Sequence, residues 1–352
     1  MKALVLEKQG SLVYREVALP ERPAPDAALV RVAACGVCGS DIPRAFQGEA
    51  YHYPLIMGHE FSGVIEEPPE GKSPYRRGQP VTAFPLLPCL RCPSCQTGDY
   101  AQCASYDYLG SRRDGAFAEY VWVPEANLFP VPGEVDLVHA AMTEPCAVAL
   151  HGVRKLRVQA GETAVVFGAG PIGNMAAQWL GIRGCGRVIL VDIDARKLEL
   201  ARLMGFEAVH AETEDPVDAV LRLTGRKGAE KVVEAAGLPL TYAQAVRSAA
   251  RFGEVLWLGN INAPLRLETG EVSGLLRREL RIHGTWNSKV TPRGMDDWST
   301  VLRHLDHELQ VAPLISHAEP LQQAPRLFDL MRRRSEYVNK VLVLVHPPAP
   351  PG

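Results

Sequence analysis

The sequence predicts an α/β protein that combines a mostly β domain with a doubly wound parallel sheet. Short alternating runs such as 28–33, set among many Pro and Gly residues, indicate β structure with long loops in the first part of the chain. Farther on, short apolar strands alternate with helices, which is typical of a parallel sheet covered on both faces. The pattern then becomes irregular again, so we expect a split domain (1–150 and 286–352) around an inserted one (151–285).

Composition excludes several classes of protein. The chain has 352 residues and a formal net charge of −2. Hydrophobic residues make up 47% and charged residues 22%, which is typical of a globular protein. It has no long run of Lys and Arg, no signal-peptide pattern and no apolar stretch of about 18 residues. We therefore expect a cytoplasmic protein that acts on a small molecule, without a nucleic-acid or membrane partner. Its eight cysteines need an explanation other than disulfides, because cytosolic thiols stay reduced.

Half of these cysteines fall on one turn-rich loop, at Cys89, Cys92, Cys95 and Cys103. Three thiols at this spacing, with a fourth a short way on, can close a tetrahedron around one metal ion. An iron–sulfur cluster usually has a tighter last spacing that ends in Cys-Pro. The loop is therefore predicted to bind a structural zinc ion.

A second possible metal site is dispersed over Cys38, the pair His59–Glu60, and Glu144. Each residue alone has an ordinary explanation, as a buried thiol, a core histidine or a carboxylate at a helix start. Together, mixed thiolate, imidazole and carboxylate ligands with one open position are typical of catalytic zinc. The sequence leaves open whether Glu60 or Glu144 is the direct ligand, and we expect both to be catalytic.

The sequence also contains a candidate proton acceptor and three cysteines outside the two predicted metal sites. The Ser40 hydroxyl can accept the substrate proton through a hydrogen bond and pass it on. Cys35 forms a Cys-x2-Cys pair with Cys38, but pairing it into the metal site would leave His59 without a role. Cys35, Cys146 and Cys185 are predicted to be packed thiols.

A glycine-rich turn links a strand to a helix at Gly168, Gly170, Pro171, Ile172 and Gly173. An acid, Asp192, ends the next strand about twenty residues on, which is the context that a Rossmann dinucleotide site requires. Asp192 would bind the ribose hydroxyls and repel a 2′-phosphate, which favours NAD over NADP. Lys197 is a further cofactor candidate, although Arg196 and Lys197 also argue for NADP.

These constellations, in this order, resemble the zinc-containing medium-chain alcohol and polyol dehydrogenases over essentially the whole chain. Residues 38–44, 58–63, 85–89, 106–107 and 110–115 are similar to the galactitol-1-phosphate 5-dehydrogenase subgroup, with sorbitol dehydrogenases as near relatives. The resemblance implies a GroES-like catalytic domain, a Rossmann domain, two zinc ions per chain and a homodimer or homotetramer. It also implies NAD-linked oxidation of a secondary alcohol of a polyol or sugar-alcohol phosphate.

The chain departs from the family pattern at Ile42–Pro43, where many relatives have a histidine that relays protons. Phosphate on the substrate would be held by some of Arg44, Arg112, Arg113 and Lys289. Alternatively, the arginine pair braces its own loop by bonding carbonyl groups or Asp114. Two other functions stay open: a simple secondary-alcohol or L-threonine-type dehydrogenase, and a non-catalytic NAD-binding relative.

Overall fold

The computed structural model describes residues 1–291 and 296–346, which fold into two compact units. Within the described residues, the first unit contains Met1–Glu144, Lys289–His307 and the chain from Ile315 onward. The second unit contains Pro145–Ser288 and Glu308–Leu314. No helix in the described ranges has the length and apolar character needed to cross a membrane.

The chain begins with short strands and few helices. In order these are β1 (Lys2–Lys8), β2 (Ser11–Glu16), β3 (Ala27–Val37), α1 (Asp41–Phe46), β4 (Leu55–Ile56), β5 (Glu60–Glu67), β6 (Pro80–Ala83), β7 (Leu86–Leu87), α2 (Pro93–Gln96), β8 (Asp107–Tyr108), β9 (Tyr120–Pro124), β10 (Leu128–Pro130) and α3 (Leu137–Ala140).

Strands and helices then alternate. They are α4 (Thr143–Val153), β11 (Thr163–Phe167), α5 (Pro171–Ile182), β12 (Arg187–Asp192), α6 (Ala195–Leu203), β13 (Glu207–His210), α7 (Pro216–Leu223), β14 (Ala229–Glu234), α8 (Pro239–Ser248), β15 (Ala249–Trp257), α9 (Thr269–Arg277) and β16 (Arg281–Gly284). The last elements are α10 (Asp297–His304), β17 (Ile315–Pro320), α11 (Ala324–Arg333) and β18 (Lys340–Leu344).

The largest sheet of the first unit is built around β3. Its strand order is β10-β6-β5-β3-β18-β17, and β9 also pairs with β3. Nearly every residue of β3 is buried because the strand packs on both faces, which explains its run of Val and Ala. The C-terminal strand β18 pairs with β3 on the side opposite β5. Residues from the two ends of the chain therefore share one sheet.

The second unit is a parallel sheet with the strand order β13-β12-β11-β14-β15-β16. The chain starts at β11 in the middle, runs out to one edge and returns to build the other half. This order is that of a doubly wound dinucleotide-binding sheet. The predicted α/β class with a mostly β part and a doubly wound part is confirmed.

Helix α10 supplies the core of the first unit with a large aromatic anchor. The Trp298 side chain is fully buried. Its ring lies 5.7 Å from the ring of Phe84, edge to face, and 5.4 Å from that of Phe129. Such aromatic contacts add to the stabilisation from apolar burial.

We predict that Trp298→Ala lowers the free energy of unfolding of the first unit by about 3–5 kcal/mol, since it removes a buried indole and leaves a cavity. Trp286→Ala is the control, because more than half of the Trp286 side chain is exposed. Urea denaturation followed by circular dichroism measures both variants. Equal urea midpoints for the two variants would contradict the role assigned to Trp298 in the core.

Candidate functional site

The cysteine-rich loop brings its four thiols together. The sulfur atoms of Cys89, Cys92, Cys95 and Cys103 all lie within 4.8 Å of one another, and none is part of a disulfide. The Cys89 backbone N–H donates to the Cys103 sulfur over 3.3 Å. Hydrogen bonds from the backbone of Arg91 and Cys92 lower the pKa of the Cys89 thiol to about 6. Because the thiolate is the metal-binding form, the loop fits a structural zinc site.

The mixed site forms where two neighbouring strands begin and end. Cys38 follows the end of β3, and Glu60 opens the adjacent strand β5. The candidate ligand atoms of Cys38, His59 and Glu60 lie within 4.8 Å of one another. Within the described residues, the Glu144 carboxylate falls outside this set, although it is also buried.

Tyr108 connects Glu144 to the three close residues. Its hydroxyl donates to Glu144 Oε1 over 3.3 Å, and its ring packs edge to face with the His59 imidazole at 5.7 Å. Burial raises the pKa of Glu144 to about 7, although the nearby His59 lowers it. Burial, followed by the charges of Glu60 and Asp41, raises the pKa of the Cys38 thiol to about 12. Burial is the main cause of both shifts, and the charge of Glu60 adds to each of them.

The charges of the site can be counted. With the Asp41, Glu60 and Glu144 carboxylates ionised and Cys38 as the thiolate that metal binding requires, the site would carry four negative charges. Arg44 and Lys340 supply two positive charges, so a divalent cation would balance the remainder. Buried charge is costly unless it is paired or bound to a metal. In addition, the buried Nδ1 of His59 has no hydrogen-bond partner among the described residues. The residues present therefore fit a divalent zinc ion.

Two residues of this site have no assigned role in the sequence-based prediction. Asp41 is fully buried, accepts hydrogen bonds from the Cys38 backbone (3.0 Å) and Arg44 Nη1 (2.7 Å), and lies 3.7 Å from His59 Nδ1. Its position three residues after Cys38 could have indicated that it lies beside this candidate ligand. Lys340 pairs with Glu60 across 280 positions of the sequence, and nothing in the local sequence indicates this contact. Burial lowers the pKa of Lys340, but the hydrogen bond to Glu60 and the charges of Glu60, Cys38 and Glu144 together raise it above its ordinary value.

Ser40 lies immediately before α1 and is exposed. Its hydroxyl makes no hydrogen bond that caps this helix. The proton-accepting role of Ser40 stays a prediction. Cys35, in contrast, is fully buried, as are Cys146 and nearly all of Cys185, in agreement with packed thiols.

In the second unit, the glycine turn has the geometry that its motif predicts. Gly168 has a φ of +100°, which favours glycine, and a Cβ at Gly173 would collide with the Gly168 carbonyl. Helix α5 begins directly after Gly170, with Pro171 as its first residue. The helix N-terminus therefore offers backbone N–H groups and a partial positive charge to an anion such as a phosphate.

Asp192 ends β12 beside this turn. Its two carboxylate oxygens accept hydrogen bonds from the backbone of Ala169 (2.7 Å) and Asp194 (2.9 Å). Asp192 therefore also fixes the turn itself. Arg196 forms a 3.1 Å ion pair with Asp194, and Lys197 is half-buried on α6.

The candidate phosphate-binding residues all have protein partners. The Arg112 guanidinium lies over the rings of Tyr106 (4.1 Å) and Tyr51 (4.9 Å) and donates to the Tyr106 carbonyl. Arg113 bonds Asp107 at 2.6 Å. Two further ion pairs join Lys289 to Asp99 at 3.2 Å and Arg44 to Asp41 at 2.7 Å. The contacts of the arginine pair are those that the bracing alternative predicts, with Asp107 in place of Asp114.

Comparison with known proteins identifies the family. Residues 24–133 match the alcohol dehydrogenase GroES-like domain, and residues 171–307 match the zinc-binding dehydrogenases. The galactitol 1-phosphate 5-dehydrogenase of Escherichia coli (strain K12) is 35% identical over 98% of this chain and 100% of its own length. The chain belongs to the zinc-containing medium-chain alcohol and polyol dehydrogenases. The resemblance inferred from the sequence is thereby confirmed.

Other relatives show how broad this dehydrogenase family is. The L-threonine 3-dehydrogenase of Bacillus subtilis (strain 168) is 32% identical over 98% of both chains. The crystal structure of galactitol-1-phosphate dehydrogenase from Escherichia coli has a TM-score of 0.92 at 33% identity, and covers 98% of this chain and 100% of that one. A zinc-binding dehydrogenase from Sinorhizobium meliloti 1021, crystallised with NADP, has a TM-score of 0.89 at 34% identity, with 97% and 98% covered.

We predict that the two metal sites of this dehydrogenase differ in how tightly they hold zinc. Brief treatment with a mild chelator should remove the ion of the mixed site and abolish activity, because that site keeps an exchangeable position. The ion of the four-thiolate loop and the circular dichroism spectrum should survive. Zinc content per chain, activity and ellipticity are measured on the same samples.

A pair of variants controls this test. Cys103→Ser should lower zinc content and stability, whereas Cys185→Ser, which lies outside both sets, should retain all the zinc. Unfolding that precedes the loss of activity during chelation would reverse the assignment of the two sites.

Proposed function

We propose that this chain is an NAD-dependent zinc dehydrogenase that oxidises a secondary alcohol of a polyol or sugar-alcohol phosphate. The observation that carries this proposal is the cluster of Cys38, His59 and Glu60, which gathers thiol, imidazole and carboxylate groups within 4.8 Å of one another in a largely buried place. We further propose that the first unit binds zinc and substrate and the second unit binds the dinucleotide.

In this proposal, Cys38, His59 and a carboxylate from Glu60 or Glu144 hold the catalytic zinc. When bound, zinc acts as a Lewis acid that makes a substrate hydroxyl more acidic. Ser40, exposed beside Cys38, accepts the hydroxyl proton and passes it to a ribose hydroxyl or to water. Asp41 fixes the Cys38 backbone by its hydrogen bond and faces the His59 ring.

The cofactor proposed here is NAD. Its pyrophosphate would lie at the start of α5 next to Gly168, Gly170, Pro171, Ile172 and Gly173, while Asp192 would face the ribose. The charge of Asp192 argues for NAD, and the relative from Sinorhizobium meliloti, which binds NADP, supplies the contrasting case. Arg196 forms an ion pair with Asp194, so its guanidinium is less available to bind a 2′-phosphate.

The proposed substrate class rests on relatives rather than on a phosphate pocket. Galactitol 1-phosphate is the substrate of the relative at 35% identity, over the full length of both chains. The second candidate, an L-threonine-type activity, is supported by the relative from Bacillus subtilis at 32% identity. A non-catalytic role is disfavoured because such a protein has no need of a buried cluster that matches a divalent ion.

We also infer a homodimer or homotetramer that works in the cytoplasm. Strand β16 lies at the edge of the parallel sheet, and an exposed sheet edge is a ready site for pairing with another chain. Leu276 on the neighbouring α9 is an exposed large apolar residue, as is Trp286 just after β16. All eight cysteines are free of disulfides, which suits a reducing compartment.

We predict that Asp192→Asn lowers the ratio of kcat/KM for NAD to that for NADP on the order of tenfold, equivalent to ~1.4 kcal/mol. The substitution removes the repulsion of a 2′-phosphate and keeps one acceptor oxygen for the turn. Asp215→Asn is the control, because Asp215 caps α7 in the same unit through its carboxylate. An unchanged ratio in Asp192→Asn would show that this residue does not line the ribose site.

A screen of phosphorylated and free polyols, simple secondary alcohols and L-threonine, each with NAD and NADP, tests the proposed activity directly. Activity on L-threonine alone would replace the polyol assignment.

The same assays on Arg112→Ala, Arg113→Ala and Lys289→Ala separate phosphate binding from bracing. If one of them binds phosphate, its removal should raise KM sharply for the phosphorylated polyol and leave the free polyol nearly unchanged. Equal losses on both substrates would indicate bracing.

A further inference from the structure

A buried amide holds the glycine turn of the second unit from behind. Asn174 lies in the first turn of α5, and its side chain is fully buried. Its Nδ2 donates to the Ala169 carbonyl at 2.7 Å and lies 3.4 Å from the Gly170 carbonyl, to which it also donates. Because a carbonyl oxygen only accepts hydrogen bonds, the amide nitrogen of Asn174 has to face the turn.

The other end of the same amide is unmatched. Asn174 Oδ1 is buried and has no hydrogen-bond partner among the residues that the structure describes. A buried acceptor without a donor destabilises the folded state, and an apolar side chain of the same size would avoid this cost. The next two residues of α5, Met175 and Ala176, are apolar and fully buried. The amide at position 174 is therefore explained by its contact with the turn rather than by packing.

This contact completes the support of Ala169. The Ala169 N–H donates to Asp192 Oδ2 at 2.7 Å, and the Ala169 carbonyl accepts from Asn174. In a planar trans peptide, the carbonyl of one residue and the N–H of the next point in opposite directions. Fixing the Ala169 carbonyl therefore fixes the Gly170 N–H, which points away from Asn174. Within the described ranges this N–H donates to no protein group, so it is left for a ligand.

Without the amide, the peptide group between Ala169 and Gly170 would be free to rotate. Gly170 has no side chain, and nothing lies within 4 Å of the position that its Cβ would take, so few steric contacts oppose the rotation. A rotated peptide would turn the Ala169 carbonyl oxygen toward a phosphate at the start of α5. Two electronegative groups would then face each other, in place of a donor and an acceptor.

We propose that Asn174 is a positioning residue that aims the Gly170 N–H at the diphosphate of the dinucleotide. Its side chain does not touch the cofactor and acts only through the peptide group that it holds. Asp192 and Asn174 thus fix the two polar groups of Ala169 from opposite directions. This inference rests on the proposed NAD-dependent function, in which the pyrophosphate lies at this turn.

Asn174→Leu tests the proposal, since leucine has a similar size and branching but no hydrogen-bond donor. The probes are ADP-ribose, which contains the diphosphate, and adenosine, which does not. Isothermal titration calorimetry on the full-length, zinc-loaded protein measures the Kd of each probe. The Kd of ADP-ribose should rise on the order of tenfold, as expected when a hydrogen bond to a charged group is lost. The Kd of adenosine should stay nearly unchanged.

Gln178→Leu is the matched control. Gln178 is a second buried amide of α5, and it bonds the backbone of Gln310 through Nε2 (3.0 Å) and Oε1 (2.7 Å) rather than the glycine turn. Its loss should lower the thermal denaturation midpoint but leave the ratio of the two Kd values as in the unaltered protein. Should Asn174→Leu not fold, Asn174→Ala removes the same donor and supports the same comparison.

The possible outcomes are distinguishable. If the unaltered protein binds neither NAD nor ADP-ribose, the proposed function fails and the inference fails with it. If the unaltered protein binds ADP-ribose and Asn174→Leu binds it equally well, only the role of Asn174 is wrong. An equal loss of affinity for ADP-ribose and adenosine would indicate general damage to the second unit, and would also overturn the proposal.

Discussion

Buried negative charge around Cys38 constrains the first unit of this protein more than any other feature. Three carboxylates are withdrawn from water there beside the half-buried Cys38 thiol, and uncompensated charge in such a place is strongly destabilising. Several elements therefore have to converge: α1 brings Arg44 to Asp41, β18 brings Lys340 to Glu60, and α4 brings Glu144 toward the hydroxyl of Tyr108. A bound divalent cation would offset negative charge at this place, so metal binding would stabilise the fold through electrostatics.

The two candidate metal sites of the first unit differ in how they are built. The cysteine-rich loop offers four thiols from a short stretch of chain, and a closed site of this kind would stabilise a loop that has little regular structure. The candidate ligands of the mixed site differ in type and come from separate elements. That arrangement suits a site in which one position has to exchange, because the surrounding charges can hold each ligand at a set distance.

In the second unit, the candidate dinucleotide site is formed mainly by backbone groups rather than by charged side chains. Its glycine turn and the first turn of α5 provide N–H donors at the end of β11, and Asp192 holds the turn through Ala169 while keeping its own negative charge. The same carboxylate thus fixes the turn and, in the proposed function, would select against a 2′-phosphate. Around the first unit's Arg112, in contrast, two tyrosine rings and a carbonyl already occupy the guanidinium. The substrate phosphate is therefore the least constrained feature of the proposed function.

Local sequence was sufficient for much of this protein. The spacing of the four loop cysteines, the glycine turn and the alternation of strand and helix each depend on neighbours within about 25 residues, so the α/β class, the zinc loop and the turn could be predicted. Ligand candidates as distant as Cys38 and Glu144 could be named from their residue types. Only the tertiary structure decided that Lys340 pairs with Glu60, that Asp41 supports Cys38, and that Arg113 pairs with Asp107. Those contacts depend on which strands lie side by side and how their registers align, and strand register is set by packing of the whole sheet.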